Sequence, residues 1–244
     1  MAESSTVRKK GKKGTVPFFS KKGDRKKGDS PLFLRAPFQE HEVDEYERKR
    51  YRGLDQRLVH KREKKILRKI LQKVGDGSML VLDVPCGYGR FSDMILEKNL
   101  SLVSSDISFY MVKRTREKSS HPAYPLAVVA DVKKALPFKQ GVFGILFSIR
   151  FFHHVHRKHE REAILREFSR VTSRWTVLSY YQMNFLHFLQ RKLRRKIKRS
   201  KTRIKMIPRK DFESEVKCAG YNIVRIYPLF RGIHSQHIVL LRKS

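Results

Sequence analysis

The apolar residues of this chain follow two different spacings, which alternate along its middle part. Short, mainly apolar runs that are typical of strands buried in a parallel sheet occur at 80–84, 102–106, 125–130, 142–148 and 175–181. Helix-like spacing, with apolar residues every three or four positions, covers 91–97, 108–118 and 159–171. Strands and helices that alternate in this way predict an α/β protein with a doubly wound, mainly parallel sheet.

The segment before the first strand, 42–74, is rich in residues that favour helices. Its acidic residues come early and its basic residues come late, which complements the helix dipole. Gly53 is expected to divide the segment into two helices, because glycine weakens a helix interior. The second half carries a predicted apolar stripe formed by Leu58, Ile66, Ile70 and Leu71.

Near the other end of the chain the pattern predicts one helix and two strands. A short helix over 211–219 is expected to end at Gly220, a residue type common just beyond helix ends. The strand-like runs 221–227 and 233–241 lie close together in sequence, so they are expected to pair as an antiparallel hairpin.

One stretch combines a buried strand with a glycine turn. Residues 79–92, MLVLDVPCGYGRFS, run from the first strand through Gly87 and Gly89 towards a helix. Glycines there let backbone N–H groups approach a ligand where a Cβ would clash. Asp106 closes the next strand, about 17 residues beyond Gly89. That is close to the spacing at which a carboxylate meets a ribose diol in dinucleotide-type folds.

Four segments in this order resemble the class I S-adenosylmethionine-dependent methyltransferases, and most closely the quinone-biosynthesis-like (type 11) group. They are VLDVPCGYGRFSDMI, SDISFYMVKRTREK, ADVKKALPF and FSIRFFHHVHRKHEREAILREFSRV. The resemblance covers the chain from Glu42 onwards. It implies a Rossmann-like doubly wound sheet with an antiparallel C-terminal hairpin strand, N-terminal helices and S-adenosylmethionine as cofactor. It also implies that the first helical segment covers part of the site, where Tyr46 and Tyr51 either form a lid or simply pack.

The chain departs from the family pattern at four places, one of which is a gap from Asp131 to Leu136–Phe138 that is one residue longer. Pro85 replaces the first glycine of the usual D-x-G-x-G-x-G turn. Gly144 stands where the family usually has an aspartate after phenylalanine, and Thr172–Arg174 replaces a Pro-Gly-Gly turn. These departures leave the fold prediction unchanged and concern mainly the assignment of residues in the second half.

The resemblance implies a set of cofactor-binding residues, namely Asp83, Cys86, Gly87, Gly89, Asp106, Ile107, Met111, Asp131, Val132 and Ser148. Asp106 is expected to bind the ribose hydroxyls. Asp83 either caps the glycine turn or meets the amino group of the cofactor. Asp131 lies where the family has an acid near the adenine amino group, or it caps a helix. Ile107 and Met111 either flank the adenine or belong to the core.

Two histidines, His153 and His154, follow the fourth strand, at the edge where open α/β sheets bind ligands. Either is a candidate general base, because the ordinary pKa of histidine, about 6.5, lies near neutral pH. The alternative is a histidine at a helix start that packs or bonds to backbone. His156 and His159 complete a cluster, but adjacent histidines in a loop without carboxylates do not predict a metal, so none is expected.

Some methyl-transfer chemistries are disfavoured by the sequence. The N-P-P-[YF] loop of amino-methylating enzymes is replaced by Ser148–Phe151. Pyrimidine C5 enzymes need a nucleophilic cysteine beside the substrate. Cys86 belongs to the glycine turn and Cys218 to the late helix. Oxygen, carbon and simple amine acceptors therefore remain.

Charge sets this chain apart from an ordinary α/β domain. Its 244 residues carry a net charge of +33, which predicts attraction to polyanions such as nucleic acid or anionic lipid. Residues 1–40, with lysine clusters and little apolar periodicity, are expected to be a disordered basic tail before a domain over 41–244.

The sequence also predicts a cytoplasmic protein. It has two cysteines, no apolar run of membrane-spanning length and no apolar region after the first lysines.

A second basic segment, 184–210, is predicted to be an insertion in that domain. Its part 190–210 holds twelve lysines and arginines and no acid. Apolar residues recur every four positions at Phe185, Leu189, Leu193 and Ile197. Such an amphipathic helix suits the surface of an anionic membrane, a nucleic-acid backbone, or a lid with a solvated basic face.

Three functional hypotheses follow. The first is a methyltransferase for a small or lipid-like acceptor, working at the inner membrane surface. The second is an RNA methyltransferase, which the charge favours although no RNA-binding module is recognisable. The third is a methyltransferase-like module without catalytic activity that binds RNA or a partner enzyme.

Overall fold

The computed structural model describes residues 38–50, 53–119, 121, 126–183, 205–232 and 234–244. The predictions made for the basic tail up to residue 37, for Tyr51 and for the insertion over 184–204 lie outside the described residues.

The described part of the chain contains the alternating elements that the apolar pattern predicts. The α-helices are α1 Glu40–Arg50, α2 Leu54–Val74, α3 Ser92–Leu96, α4 Phe109–Lys118, α5 Lys158–Val171 and α6 Arg209–Cys218. The strands are β1 Leu80–Asp83, β2 Ser101–Asp106, β3 Leu126–Val129, β4 Phe143–Ser148, β5 Thr172–Tyr181, β6 Tyr221–Pro228 and β7 Gln236–Lys243. A 3₁₀ turn, Phe152–His154, follows β4.

The seven strands form one sheet in the order β3-β2-β1-β4-β5-β7-β6. Five of them are parallel, and β7 runs antiparallel to both β5 and β6. The strand order reverses between β1 and β4, which is the point where open α/β sheets bind ligands. The prediction of a doubly wound sheet with an antiparallel hairpin at its end is confirmed.

Helices cover both faces of the sheet and bury two apolar layers. On one face Leu82 and Leu146 of the sheet belong to the same core cluster as Phe168 of α5. On the other face Val81 and Ile145 share a cluster with Ile70 of α2. Neighbouring residues of each strand thus enter opposite layers, as the two-residue period of a strand requires. The central strands are therefore apolar on both faces, which explains their nearly continuous hydrophobic runs.

The apolar stripe of α2 differs from the prediction at one position. Leu58 is exposed, whereas its neighbour Val59 is buried. The buried face comprises Val59, Glu63, Ile66, Leu67, Ile70, Leu71 and Val74. The prediction was therefore wrong at Leu58. The buried face also includes the carboxylate of Glu63, because this side chain pairs with cationic side chains inside the protein.

Two of the departures from the family pattern, at Gly144 and at the start of β5, have local structural reasons. A Cβ built on Gly144 would lie 2.9 Å from Cγ of Met79, so methionine fills the space beside this strand position. The turn that usually precedes the fifth strand is absent, since α5 ends at Val171 and β5 begins at Thr172. Lys243 Nζ donates hydrogen bonds to the carbonyls of Ser169 and Thr172 at 2.7 and 2.9 Å, which satisfies the end of the helix.

Candidate functional site

A cavity of about 230 Å³ opens at the carboxyl edge of the sheet, beside the point where the strand order reverses. Its walls come from the residues that follow β1, β2, β3 and β4, and from Phe38 and Tyr46 at the N-terminal side. Ligand sites of open α/β sheets are expected at this place.

Most of the predicted cofactor-binding residues line this cavity. They are Asp83, Cys86, Gly87, Asp106, Ile107, Met111, Asp131 and Val132, joined by the candidate base His154. Gly89, Ser148 and His153 do not line it. The structure thus brings together residues from the ends of four different strands, while their individual roles towards a ligand stay predictions.

Each of the three residues outside the cavity wall has a packing environment of its own. A Cβ at Gly89 would lie 2.7 Å from Cγ2 of Thr115, so this glycine lets the turn approach α4 closely. Ser148 is fully buried, and its Oγ has no hydrogen-bond partner among the described residues. His153 is 6% exposed, with its ring centroid 3.9 Å from that of His154 and 4.8 Å from that of Tyr181.

Asp106 ties the glycine turn to the end of β2. Its two carboxylate oxygens accept hydrogen bonds from the backbone N–H groups of Gly87 and Ser108, each at 3.0 Å. Gly87 has a φ of +56°, a conformation that glycine adopts without steric cost. Burial raises the pKa of Asp106, and the backbone N–H donors only partly offset this effect. The carboxylate therefore shapes the turn as well as facing the cavity.

Asp83 is buried at the end of β1, with 2% of its surface exposed. Its Oδ2 atom has no hydrogen-bond partner among the described residues. Burial, and next the nearby charge of Asp106, raise its pKa to about 7 although Arg90 acts in the opposite direction. A buried oxygen without a donor is uncommon in proteins, and it suits a ligand that brings an N–H group.

This raised pKa predicts how acidity affects stability. Between its usual value of 3.8 and about 7, Asp83 keeps a proton in the folded chain that the unfolded chain has lost. Asp83 therefore lowers stability progressively as pH rises through that range. Asp83→Asn is expected to remove this contribution, so that its stability relative to wild type improves by about 1–3 kcal/mol between pH 5 and pH 8.

Urea unfolding of the ligand-free protein at the two pH values measures this difference. The control is Asp93→Asn, which makes the same change from carboxylate to amide at an exposed position of α3. An Asp83→Asn variant whose stability relative to wild type is the same at both pH values would contradict the assignment.

Aromatic side chains close the N-terminal side of the cavity. Tyr46 packs between Phe38 and Tyr88, with ring centroids 5.3 and 6.0 Å apart. The carbonyl of Phe38 accepts a hydrogen bond from Ser108 Oγ at 2.8 Å. Glu47 pairs with two cationic side chains of α4 and fastens α1 there. Tyr46 thus both packs and lines the cavity.

A buried ion-pair cluster that the sequence did not reveal borders the cavity. Glu63, with no exposed side-chain surface, accepts hydrogen bonds from Arg90 at 2.8 Å and from Arg150 at 2.6 and 2.9 Å. Gln236 Nε2 donates to the same carboxylate at 2.7 Å. Burial would raise the pKa of Glu63, but attraction to the two arginines outweighs it and the pKa is lowered. Both arginines line the cavity.

The signal for this cluster lies in the periodicity of α2. Glu63 occupies a buried-face position three residues before Ile66 and four after Val59. A carboxylate on an apolar face requires buried cationic partners. The sequence contains too many arginines for this rule to identify Arg90 and Arg150.

Comparisons with known proteins agree with this geometry. A family model described as a methyltransferase domain matches residues 82–177. A malonyl-[acyl-carrier protein] O-methyltransferase from Hamiltonella defensa subsp. Acyrthosiphon pisum (strain 5AT) is 32% identical over 111 residues, which are 45% of this chain and 40% of that protein. The matched segment thus spans well under half of that relative.

Solved structures extend the likeness in fold to most of the chain. Magnesium protoporphyrin IX methyltransferase from Synechocystis PCC 6803, in a structure with bound SAH, gives a TM-score of 0.70 at 19% identity and covers 82% of this chain and 94% of its own. A SAM-dependent methyltransferase from Methanosarcina mazei gives 0.60 at 18% identity, with 71% and 96% covered.

The strand order, the cavity at its reversal point and the matched segment all point to one class of protein. Residues 82–177 match a methyltransferase domain, and the fold is similar to that of S-adenosylmethionine-dependent methyltransferases. S-adenosylmethionine is the cofactor of this class, and the cavity fits it in two respects. The backbone at Gly87 is open, because a Cβ there would meet nothing within 4 Å, and Asp83 Oδ2 accepts no hydrogen bond from the described residues.

The described residues contain no group of three or more histidine, cysteine, aspartate or glutamate side chains arranged to hold a metal ion. Among the helices within the described ranges, none combines the length and apolar character needed to span a membrane.

Proposed function

We propose that this chain transfers a methyl group from S-adenosylmethionine to a small or lipid-like acceptor. The observation that carries this proposal is the pairing of an Asp106-held glycine turn with the unpartnered oxygen of Asp83 in one cavity. The names of the relatives, which include malonyl-[acyl-carrier protein] and magnesium protoporphyrin IX, support an acceptor of this kind.

The chain's own contribution is to hold two reactants in line. When bound, S-adenosylmethionine supplies a methyl group on a sulfonium, which a nucleophile can attack without a covalent enzyme intermediate. In our proposal Asp106 binds the ribose hydroxyls, and Asp83 accepts a hydrogen bond from the amino group of the cofactor. The turn at Cys86 and Gly87 presents its backbone to the methionine portion.

The adenine end of the cofactor is assigned to the strand ends next to β2. Ile107, Met111 and Val132 would flank the ring, and Asp131 would accept from its amino group. The geometry that supports this assignment is their common placement in the cavity wall, next to Asp106. The exposed side chain of Ile107, at 47%, has surface left to cover a ring.

His154 is the residue we propose as a general base where the acceptor must lose a proton. It lines the cavity, whereas His153 lies behind it with its ring buried. A thiolate mechanism is disfavoured, because burial and then the charges of Asp106 and Asp83 raise the pKa of Cys86 well above its usual value. The raised pKa of the Cys86 thiol agrees with the sequence argument against a pyrimidine C5 methyltransferase, which needs a nucleophilic cysteine.

The acceptor class is tested with methyl-labelled S-adenosylmethionine. The purified chain is incubated with cell extract, and organic, RNA, protein and aqueous small-molecule fractions are then separated. Our proposal expects label in the organic or the small-molecule fraction. Label confined to RNA would replace it by the RNA methyltransferase hypothesis, and no label with cofactor still bound would favour a non-catalytic binding module.

We also propose that the chain is cytoplasmic and lies at the inner membrane surface. This rests on the sequence of the basic insertion, most of which lies outside the described residues. Each basic residue near an anionic membrane contributes about 1 kcal/mol. Deleting residues 192–205 is expected to abolish co-sedimentation with anionic liposomes, while binding of S-adenosylhomocysteine persists. Full liposome binding by the deletion variant would contradict the membrane proposal.

A further inference from the structure

Arg150 is the second residue after β4, and several contacts fix its position in the cavity wall. Its Nε and Nη2 atoms donate to the two oxygens of Glu63, and its backbone N–H donates to Ser179 Oγ at 2.7 Å. Only 8% of its side-chain surface is exposed. Such a two-point pair fixes the plane of the guanidinium.

The backbone of Arg150 is strained in a way that points to a ligand. Its φ is +61°, in the left-handed region that residues other than glycine rarely adopt. Conformations of this kind persist only where the surroundings enforce them, and they cluster at ligand-binding sites. Here Glu63 and Ser179 supply the enforcing contacts.

One nitrogen of the Arg150 guanidinium does not take part in the pair with Glu63. Nη1 of Arg150 has no hydrogen-bond partner within the described ranges, although the residue lines the cavity. The neighbouring Arg90 also donates to Glu63, so this carboxylate holds both side chains at the cavity wall. Nη1 of Arg150 can therefore donate a hydrogen bond to an anionic group of a ligand in the cavity.

The location of Arg150 separates it from the residues assigned to the cofactor. Asp83 and Asp106 end β1 and β2, and Asp131 follows β3; these three strands form one side of the sheet. Arg150 follows β4 on the other side of the reversal point, where Phe151 and His154 also line the cavity. This second half of the cavity is the space left for the acceptor.

We propose that Arg150, held in place by Glu63, binds a carboxylate on the methyl acceptor. This deepens the proposed function, on which it rests, by naming the acceptor class as a carboxylate attached to an apolar body. Ile149 and Phe151 beside Arg150 supply apolar wall for that body. Arg150 is a specificity residue in this proposal, and Glu63 is its positioning residue.

The wild-type protein allows a test that needs no variant. Hexanoate and its neutral isostere hexanamide are titrated into the protein saturated with S-adenosylhomocysteine, and binding is followed by calorimetry or by ligand-observed NMR. Hexanoate is expected to bind about 10-fold or more tightly than hexanamide, because it makes a charge-assisted hydrogen bond. Equal affinities, or binding of neither probe, would overturn the proposal.

Substitution then assigns the preference to Arg150. Arg150→Gln is expected to remove the preference for hexanoate and to change the affinity for S-adenosylhomocysteine by less than about 3-fold. Arg150→Lys, which keeps the charge but loses the two-point pair, is expected to retain part of the preference. Arg68→Gln on the exposed side of α2 makes the same charge change and is expected to alter neither measurement.

The outcomes also separate this proposal from the function on which it rests. A large loss of S-adenosylhomocysteine affinity in Arg150→Gln, with hexanoate preference intact, would mean that the guanidinium serves the cofactor's own carboxylate, and would overturn the proposal. Label transfer to uncharged acceptors alone would overturn it as well and leave the methyltransferase function standing. If wild type does not bind S-adenosylhomocysteine at all, the proposed function itself fails.

Discussion

Asp106→Ala is expected to weaken binding of S-adenosylhomocysteine by about 100-fold or more. Two losses combine in this variant. The ribose hydroxyls lose their proposed acceptor, and the N–H groups of Gly87 and Ser108 lose the carboxylate that holds the turn. Each buried donor left without an acceptor costs about 1–3 kcal/mol. Calorimetric titration at neutral pH measures the effect directly.

Two further variants make the Asp106 result specific. Asp106→Asn keeps one acceptor oxygen for the turn, so it is expected to bind more tightly than the alanine variant and more weakly than wild type. Asp93→Ala removes an exposed carboxylate of α3 and is expected to leave binding unchanged. Asp106→Ala with wild-type affinity and an intact fold would refute the assignment of this cavity to the cofactor.

Glu63→Ala is expected to destabilise the fold by about 3–5 kcal/mol, because it leaves two buried guanidinium groups without their carboxylate. The arginines come from the turn after β1 and from the end of β4, and Gln236 of β7 also loses its partner. For a chain of this size, that loss corresponds to a fall in Tm of about 6–20 °C. Thermal unfolding followed by circular dichroism measures it.

The matched control for Glu63 is an exposed ion pair between the same helix, α2, and the residue just after α3. Arg68 and Glu97 lie 3.4 Å apart with about half of each side chain exposed. Glu97→Ala is therefore expected to change the free energy of unfolding by less than about 1 kcal/mol. If Glu63→Ala were as mild as Glu97→Ala, the buried cluster would be structurally dispensable.

The sequence predicted the features that depend on local period and short spacing. The apolar residues before Gly87 and Gly89 predicted β1 and the turn after it. The sequence spacing from Gly89 to Asp106 predicted that the Asp106 carboxylate lies beside this turn. The hydrogen bond from Gly87 N–H to Asp106 spans only 19 residues. Interactions of this range follow from the βαβ connection itself.

The features that the sequence did not predict depend on long-range contacts. The bonds from Arg150 and Gln236 to Glu63 join residues 87 and 173 positions apart. No local period encodes which arginine meets which carboxylate, particularly in a chain with 56 lysines and arginines. For the same reason the burial of Glu63 and the exposure of Leu58 became evident only in the folded chain.

Amide hydrogen exchange with and without S-adenosylhomocysteine tests the central claim most directly. The ligand should slow exchange in peptides from the turn after β1, the β2–α4 junction with Asp106 and Ile107, and the segment after β3. Exchange in β6, at the far edge of the sheet, should be unchanged. Protection confined to other parts of the chain, or no protection anywhere at saturating ligand, would contradict the assignment of this cavity to S-adenosylmethionine.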